Sequence, residues 1–144
     1  MIRQTIYIDK YDWVVNAYFY VSEYYTDEIM DKLWDLGCDA TTAKKVYHNL
    51  TSNELDTGLC YSNYRKQESI LVVARTSSAE EFFNSIVHEI THLQSHIAHI
   101  NKLNPTGEEV AYLAGEISRE MFPKVKSLMC DCCRKKGEID YEYE

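Results

Sequence analysis

The sequence predicts an α+β fold: a small antiparallel or mixed sheet packed with one long helix and a further helix that follows it. Three observations carry this. Trp13, Val15, Ala17, Phe19 and Val21 alternate with Val14, Asn16, Tyr18 and Tyr20, the period-two pattern of a strand with one apolar face. Residues 69–74 form an almost continuous apolar run, as expected of a strand covered on both faces. From Ala79 onward, Phe82, Phe83, Ile86, Ile90, Leu93, Ile97 and Ile100 recur at about 3.6 residues per turn, the stripe of a long core-facing helix.

Each element has its own signal. Residues 4–9 read as a short strand, joined to 13–21 by a turn at Asp9-Lys10-Tyr11-Asp12. Thr26 or Asp27 is the expected cap of a helix over 27–36, with stripe Ile29, Met30, Leu33, Trp34 and Leu36, stopped by Gly37. A second short helix is expected over 41–50, around Ala43, Val46, Tyr47 and Leu50. Residues 58–64 read as a strand, linked to the 69–74 strand by a hairpin at Arg65-Lys66-Gln67. Ser78 with Glu81 reads as a capping box at the start of the long helix, which ends between 97 and 102. Asn104-Pro105-Thr106-Gly107 breaks the chain. The next helix starts near Glu108 with Val110, Leu113, Ala114, Ile117 and Met121, and Pro123 should kink or end it. A last helical piece holds Val125, Leu128, Met129 and Cys132.

The length of 144 residues suits one domain over 1–144, with its core in 4–130 and an acidic tail, 137–144, expected to fray. A formal net charge of −8 disfavours nucleic acid and anionic membrane surfaces, which need clustered Lys and Arg. No apolar run is long enough to span a bilayer, and Met1-Ile2-Arg3-Gln4-Thr5 is not the start of a secretion signal, so a cytoplasmic setting is expected. Cys38, Cys60, Cys130, Cys132 and Cys133 are odd in number and irregularly spaced, which argues for reduced thiols.

The long helix carries the chemistry. His88-Glu89-Ile90-Thr91-His92 has the form His-Glu-x-x-His, and four residues is about one turn, so both imidazoles share a face. Two imidazoles so placed can bind one zinc ion. Glu89 is then the candidate general base for a metal-activated water. His96 and His99 lie on or near the same face as candidate supporting groups. Zinc wants a third protein ligand, and Glu108, Glu109, Glu116 and Glu120 are the candidates beyond the break. Thr106-x-x-Glu109 reads as a second capping box, which would leave Glu108 free to face the metal, with Glu109 the alternative. A helix running straight past 100 favours Glu116 or Glu120 instead.

These residues also carry a resemblance. His88-Glu-x-x-His92, followed after a break by Glu108-Glu109-Val110-Ala111-Tyr112-Leu113, looks like a gluzincin metallopeptidase, and Glu108-x-x-Ala111 resembles the glutamate helix of several intracellular gluzincins. The layout is similar to small zincin-like proteins of bacteriophages and prophages. The specific likeness covers residues 70–118. It implies a minimal zincin-like fold and zinc held by His88, His92 and a downstream glutamate. It also implies peptide-bond hydrolysis on a peptide or protein substrate that pairs with the strand around 69–75. The chain is short for that group and lacks a second subdomain to wall a cleft. The rival expectation is a phage-type structural or assembly protein, with a virion or assembly partner, in which metal only staples two helices.

Overall fold

The structure, a computed structural model, describes residues 1–52, 54 and 56–135. β1 (Ile2–Ile8) and β2 (Trp13–Val21) form an antiparallel pair with Ile2 opposite Phe19 and Ile8 opposite Trp13. The turn between them is a 3-10 segment closed by Asp12 at φ 51°, a left-handed position that Asp tolerates well. β3 (Gly58–Asn63) and β4 (Glu68–Ala74) form a second antiparallel hairpin. β4 then lies parallel to β2, which gives a mixed sheet of order β1-β2-β4-β3. The β3 start requires glycine: a Cβ on Gly58 (φ +146°) would lie 1.8 Å from the Val72 carbonyl oxygen.

α1 (Thr26–Asp35) and α2 (Ala40–Thr51) lie between β2 and β3 in the chain. They cover one face of the sheet, burying Ile29, Leu33, Leu36, Ala43 and Leu50 against Ile70 and Val72. α3 (Ala79–Ile100) and α4 (Glu108–Val125) cover the other, where Phe82, Ile86, Leu93, Ile97, Leu113 and Ile117 meet Val15, Phe19, Leu71 and Val73. Successive β4 residues thus serve opposite cores, the reason its sequence is apolar without alternation. Gly37 (φ +74°) ends the α1 region as expected. None of the described helices is long and apolar enough to cross a membrane.

Several local expectations need correction. β4 has neighbours on both sides, so the strand around 69–75 has no free edge; β3 is the edge on that side of the sheet. α1 is not capped by Thr26 or Asp27: Tyr25 is at the N-cap, its side chain makes no capping bond to the helix, and the Thr26 hydroxyl donates to the Glu23 carbonyl at 2.6 Å. The second capping box does not form. Gly107 is the N-cap of α4, and the Thr106 hydroxyl is taken by Asn104 Oδ1 at 3.0 Å. Pro123 does not stop α4, which continues to Val125. A proline so near a helix end removes few bonds, and Gln4 Nε2 donates to the Glu120 carbonyl there at 2.8 Å. Phe83 and Ile100 fall outside the α3 core stripe and are exposed. The acidic segment expected to fray, 137–144, lies outside the described residues.

Candidate functional site

α3 begins at a well-satisfied N-terminus. Ser78 Oγ accepts from the Glu81 N–H at 3.1 Å, and Asp131 Oδ1 accepts from the Ala79 N–H at 3.0 Å. Two of the four orphan donors of the first turn are thereby bonded. From there α3 runs unbroken to Ile100 across β3 and β4.

His88 and His92 stand one turn apart on its exposed side, with Nε2 atoms 3.3 Å from each other. Glu89 is different. It is 2% exposed, the one buried carboxylate among the described residues. Its Oε1 accepts from the Thr57 hydroxyl at 2.9 Å and lies 4.0 Å from His88 Nε2. Its Oε2 is buried with no hydrogen-bond partner among the described residues. Burial raises the Glu89 carboxyl above its ordinary range, against the Thr57 bond and the nearby His88 and His92, which pull it down.

One turn further on, His96 is half-buried and belongs to a polar chain that crosses the sheet. The Trp13 indole donates to Ser69 Oγ at 2.8 Å; Ser69 Oγ and Ser62 Oγ are 2.6 Å apart; Ser62 Oγ is 2.7 Å from His96 Nδ1. Burial, then the charge of His92, lowers the His96 pKa. The Tyr64 ring meets His96 edge-on at 5.9 Å and lies 6.1 Å from His99. Cys60 adjoins this group, 3.9 Å from His96 Nδ1; burial, with the Glu89 charge behind it, pushes its thiol far up. Cys60 is thus a half-buried thiol whose surroundings disfavour the thiolate.

The downstream glutamates do not join the histidines. Glu109 accepts from the Tyr11 hydroxyl at 2.7 Å and pairs with Lys10 Nζ at 3.0 Å, on the β1–β2 turn. Glu108 lines a groove along α4 with Ala111, Tyr112, Gly115, Glu116 and Arg119. Glu116 and Glu120 border a second groove over β1. Among the described residues no three His, Cys, Asp or Glu side chains converge as a metal-holding group. The cause is helix length. α3 carries the chain eight residues beyond His92, about 12 Å, before α4 can begin.

The donor set nevertheless fits a metal at two positions. Two ligands at 2.0–2.1 Å from one tetrahedral ion stand about 3.3 Å apart, which is the separation of the two Nε2 atoms. Thr57, Ser62, Tyr64 and Ser69 carry no sequence signal for this site, because their contacts span chain separations such as the 32 residues from Thr57 to Glu89. The burial of Glu89 did have one: it lies seven residues from Phe82 and four from Leu93, within the buried stripe. No family model matches this sequence, and neither a curated protein nor a solved structure is significantly similar to it.

Proposed function

We propose that this chain is a zinc-dependent, metallopeptidase-like hydrolase of minimal zincin-like build, with Glu89 as general base. The supporting observation is the pairing of two imidazole nitrogens 3.3 Å apart with a buried carboxylate whose Oε2 has no hydrogen-bond partner among the described residues. His88 and His92 would hold the metal; bound there, zinc polarises a scissile carbonyl and acidifies a water molecule. The Glu89 carboxylate takes a proton from the attacking water and returns it to the leaving amine nitrogen, so the carboxylate is regenerated. Its raised pKa suits both transfers, since a base poised nearer neutrality is also a better acid. Thr57 fixes Oε1, the oxygen that lies 4.0 Å from His88 Nε2, and so orients the carboxylate.

An extended peptide has a place to bind. β3 is the edge strand beside α3, with no further strand paired to it among the described residues, and Thr57, the residue before its first, bonds Glu89. A peptide added to that edge gains main-chain hydrogen bonds beside the site. The helix-staple alternative has less support, because the α4 carboxylates named above face β1, the β1–β2 turn or the outer groove of α4. The test is zinc equilibrium dialysis of the full chain, followed by a peptide-library digest with and without chelator. About one zinc per chain and chelator-sensitive cleavage are expected. A wild-type protein that binds no zinc sinks the reading.

A further inference from the structure

The described cysteines are thiols, with no disulfide among them, but they are not equivalent. Cys38 is buried, and Cys60 is half-buried beside His96 of α3. Cys130, Cys132 and Cys133 gather at the start of α5 (Asp131–Lys135), where Cys130 and Cys132 are exposed. Cys130 precedes the helix with extended backbone, φ −133° and ψ 117°. The Arg134 N–H donates to the Cys130 carbonyl at 3.0 Å, so residues 130–134 make one closed helical turn. The neighbouring Cys133 and Cys132 backbone N–H groups, with the Cys133 side chain, hold the Cys130 thiol below its ordinary range. Two residues at the ends of one helical turn have Cα atoms about 5–6 Å apart, within the span of a disulfide.

We propose that Cys130 and Cys133 form a redox-active dithiol that undergoes exchange with low-molecular-weight disulfides. The Cys130 thiolate attacks one sulfur of the small disulfide, forming a mixed disulfide and releasing one thiolate. The Cys133 thiol loses its proton to solvent and attacks Cys130 Sγ, which releases the second thiolate. Two protein thiols are oxidised, the small disulfide is reduced to two thiols, and protons balance through water. The site is tied to α3 by the residues between and beside its sulfurs. Asp131 bonds the Ala79 N–H, and Arg134 donates to the Thr76 carbonyl at 2.5 Å and lies 5.6 Å above the Tyr20 ring. The proposal is independent of metal binding.

The experiment uses the reduced full chain, oxidised glutathione at neutral pH, rapid alkylation and peptide mapping by mass spectrometry. The expected product is a Cys130–Cys133 intramolecular disulfide, retained in Cys132→Ser. Cys133→Ser should stop at a glutathione adduct on Cys130, and Cys130→Ser should give neither product at Cys133. Without oxidant, Cys130 should be alkylated at least about threefold faster than Cys132. Absence of the disulfide in wild type, its formation through Cys132, or equal alkylation of Cys130 and Cys132 would each overturn the assignment.

Discussion

The two faces of the sheet are covered by helix pairs, yet only one face buries a carboxylate. Under α1 and α2 the core is aliphatic, aromatic and sulfur-bearing, with the Cys38 thiol within it, and among the described residues no carboxylate or imidazole is buried there. Under α3 lie Glu89, Ser69 and Ser85, with half-buried His96 and Ser62 beside them. An isolated buried carboxylate weakens a fold, so its position calls for a reason. Glu89 sits where α3 crosses the edge strand and next to the only two exposed imidazoles that touch each other among the described residues. The difference supports the proposal of a site on the α3 side, with the α1–α2 side as packing support.

The sharpest way to break that contrast is to remove an imidazole. His88→Ala or His92→Ala should abolish zinc uptake, read by equilibrium dialysis. Glu89→Gln should keep the zinc and lower peptide cleavage by at least about 100-fold. Undiminished cleavage in Glu89→Gln would free Glu89 from the role of base. Packing comes next. Phe82→Ala empties a fully buried position at the α3–sheet contact and should cost about 3–5 kcal/mol by urea denaturation. Leu33→Ala on the far face should cost a comparable amount, about 2–5 kcal/mol, and leave zinc uptake intact in the folded fraction.

The pH dependence of the metal-free protein distinguishes the faces more finely. The folded pKa of Glu89 is raised, so the folded state holds its proton where the unfolded chain has already released it. Stability from this group is present below the unfolded carboxylate pKa and falls as pH rises through the folded one. In chelator, Glu89→Gln should therefore gain in melting temperature relative to wild type as pH increases from about 4 upward. A constant difference across that range would mean Glu89 is not desolvated. Thr57→Val is a milder change, expected to cost about 1 kcal/mol. It removes a bond that lowers the Glu89 pKa, so the acid limb of the cleavage profile should move to higher pH.

Much of this architecture was legible because it is written in local periodicity. The strand at 13–21 and the start of α3 at Ala79 lie where alternation and the Ser78 cap place them. The His88–His92 pair was legible for the same reason, as a one-turn spacing. What could not be read is what depends on distant partners. The parallel pairing of β2 with β4, which makes β3 the edge, joins segments some fifty residues apart. Thr106-x-x-Glu109 matches a capping pattern, but Asn104, Tyr11 and Lys10 compete for its side chains and win. The sequence does not show that Tyr11 and Lys10, nearly a hundred residues away, stand beside Glu109.

The smallest expected effect is the most discriminating. Glu108 opens α4 on its outer groove, and Glu109 is held by Tyr11 and Lys10. Neither Glu108→Ala nor Glu109→Ala should change zinc affinity, measured by competition with a chromophoric chelator. The resemblance to gluzincins implies the opposite for Glu108. For Glu108 to meet His92, the last turns of α3 would have to unwind. Those turns are held by Ile97 and Ala98 in the core and by the Leu103 N–H bond to the Ala98 carbonyl at 2.9 Å. Freeing Ile97 alone would expose a side chain whose burial stabilises the fold by about 1.5–3 kcal/mol. A zinc ion could meet that cost, since anything that binds only the rearranged state shifts the population toward it. A heavy loss of zinc affinity in Glu108→Ala would therefore mean that metal remodels the end of α3. Unchanged affinity would leave the site with two protein ligands, His88 and His92, and the remaining positions open to water and substrate.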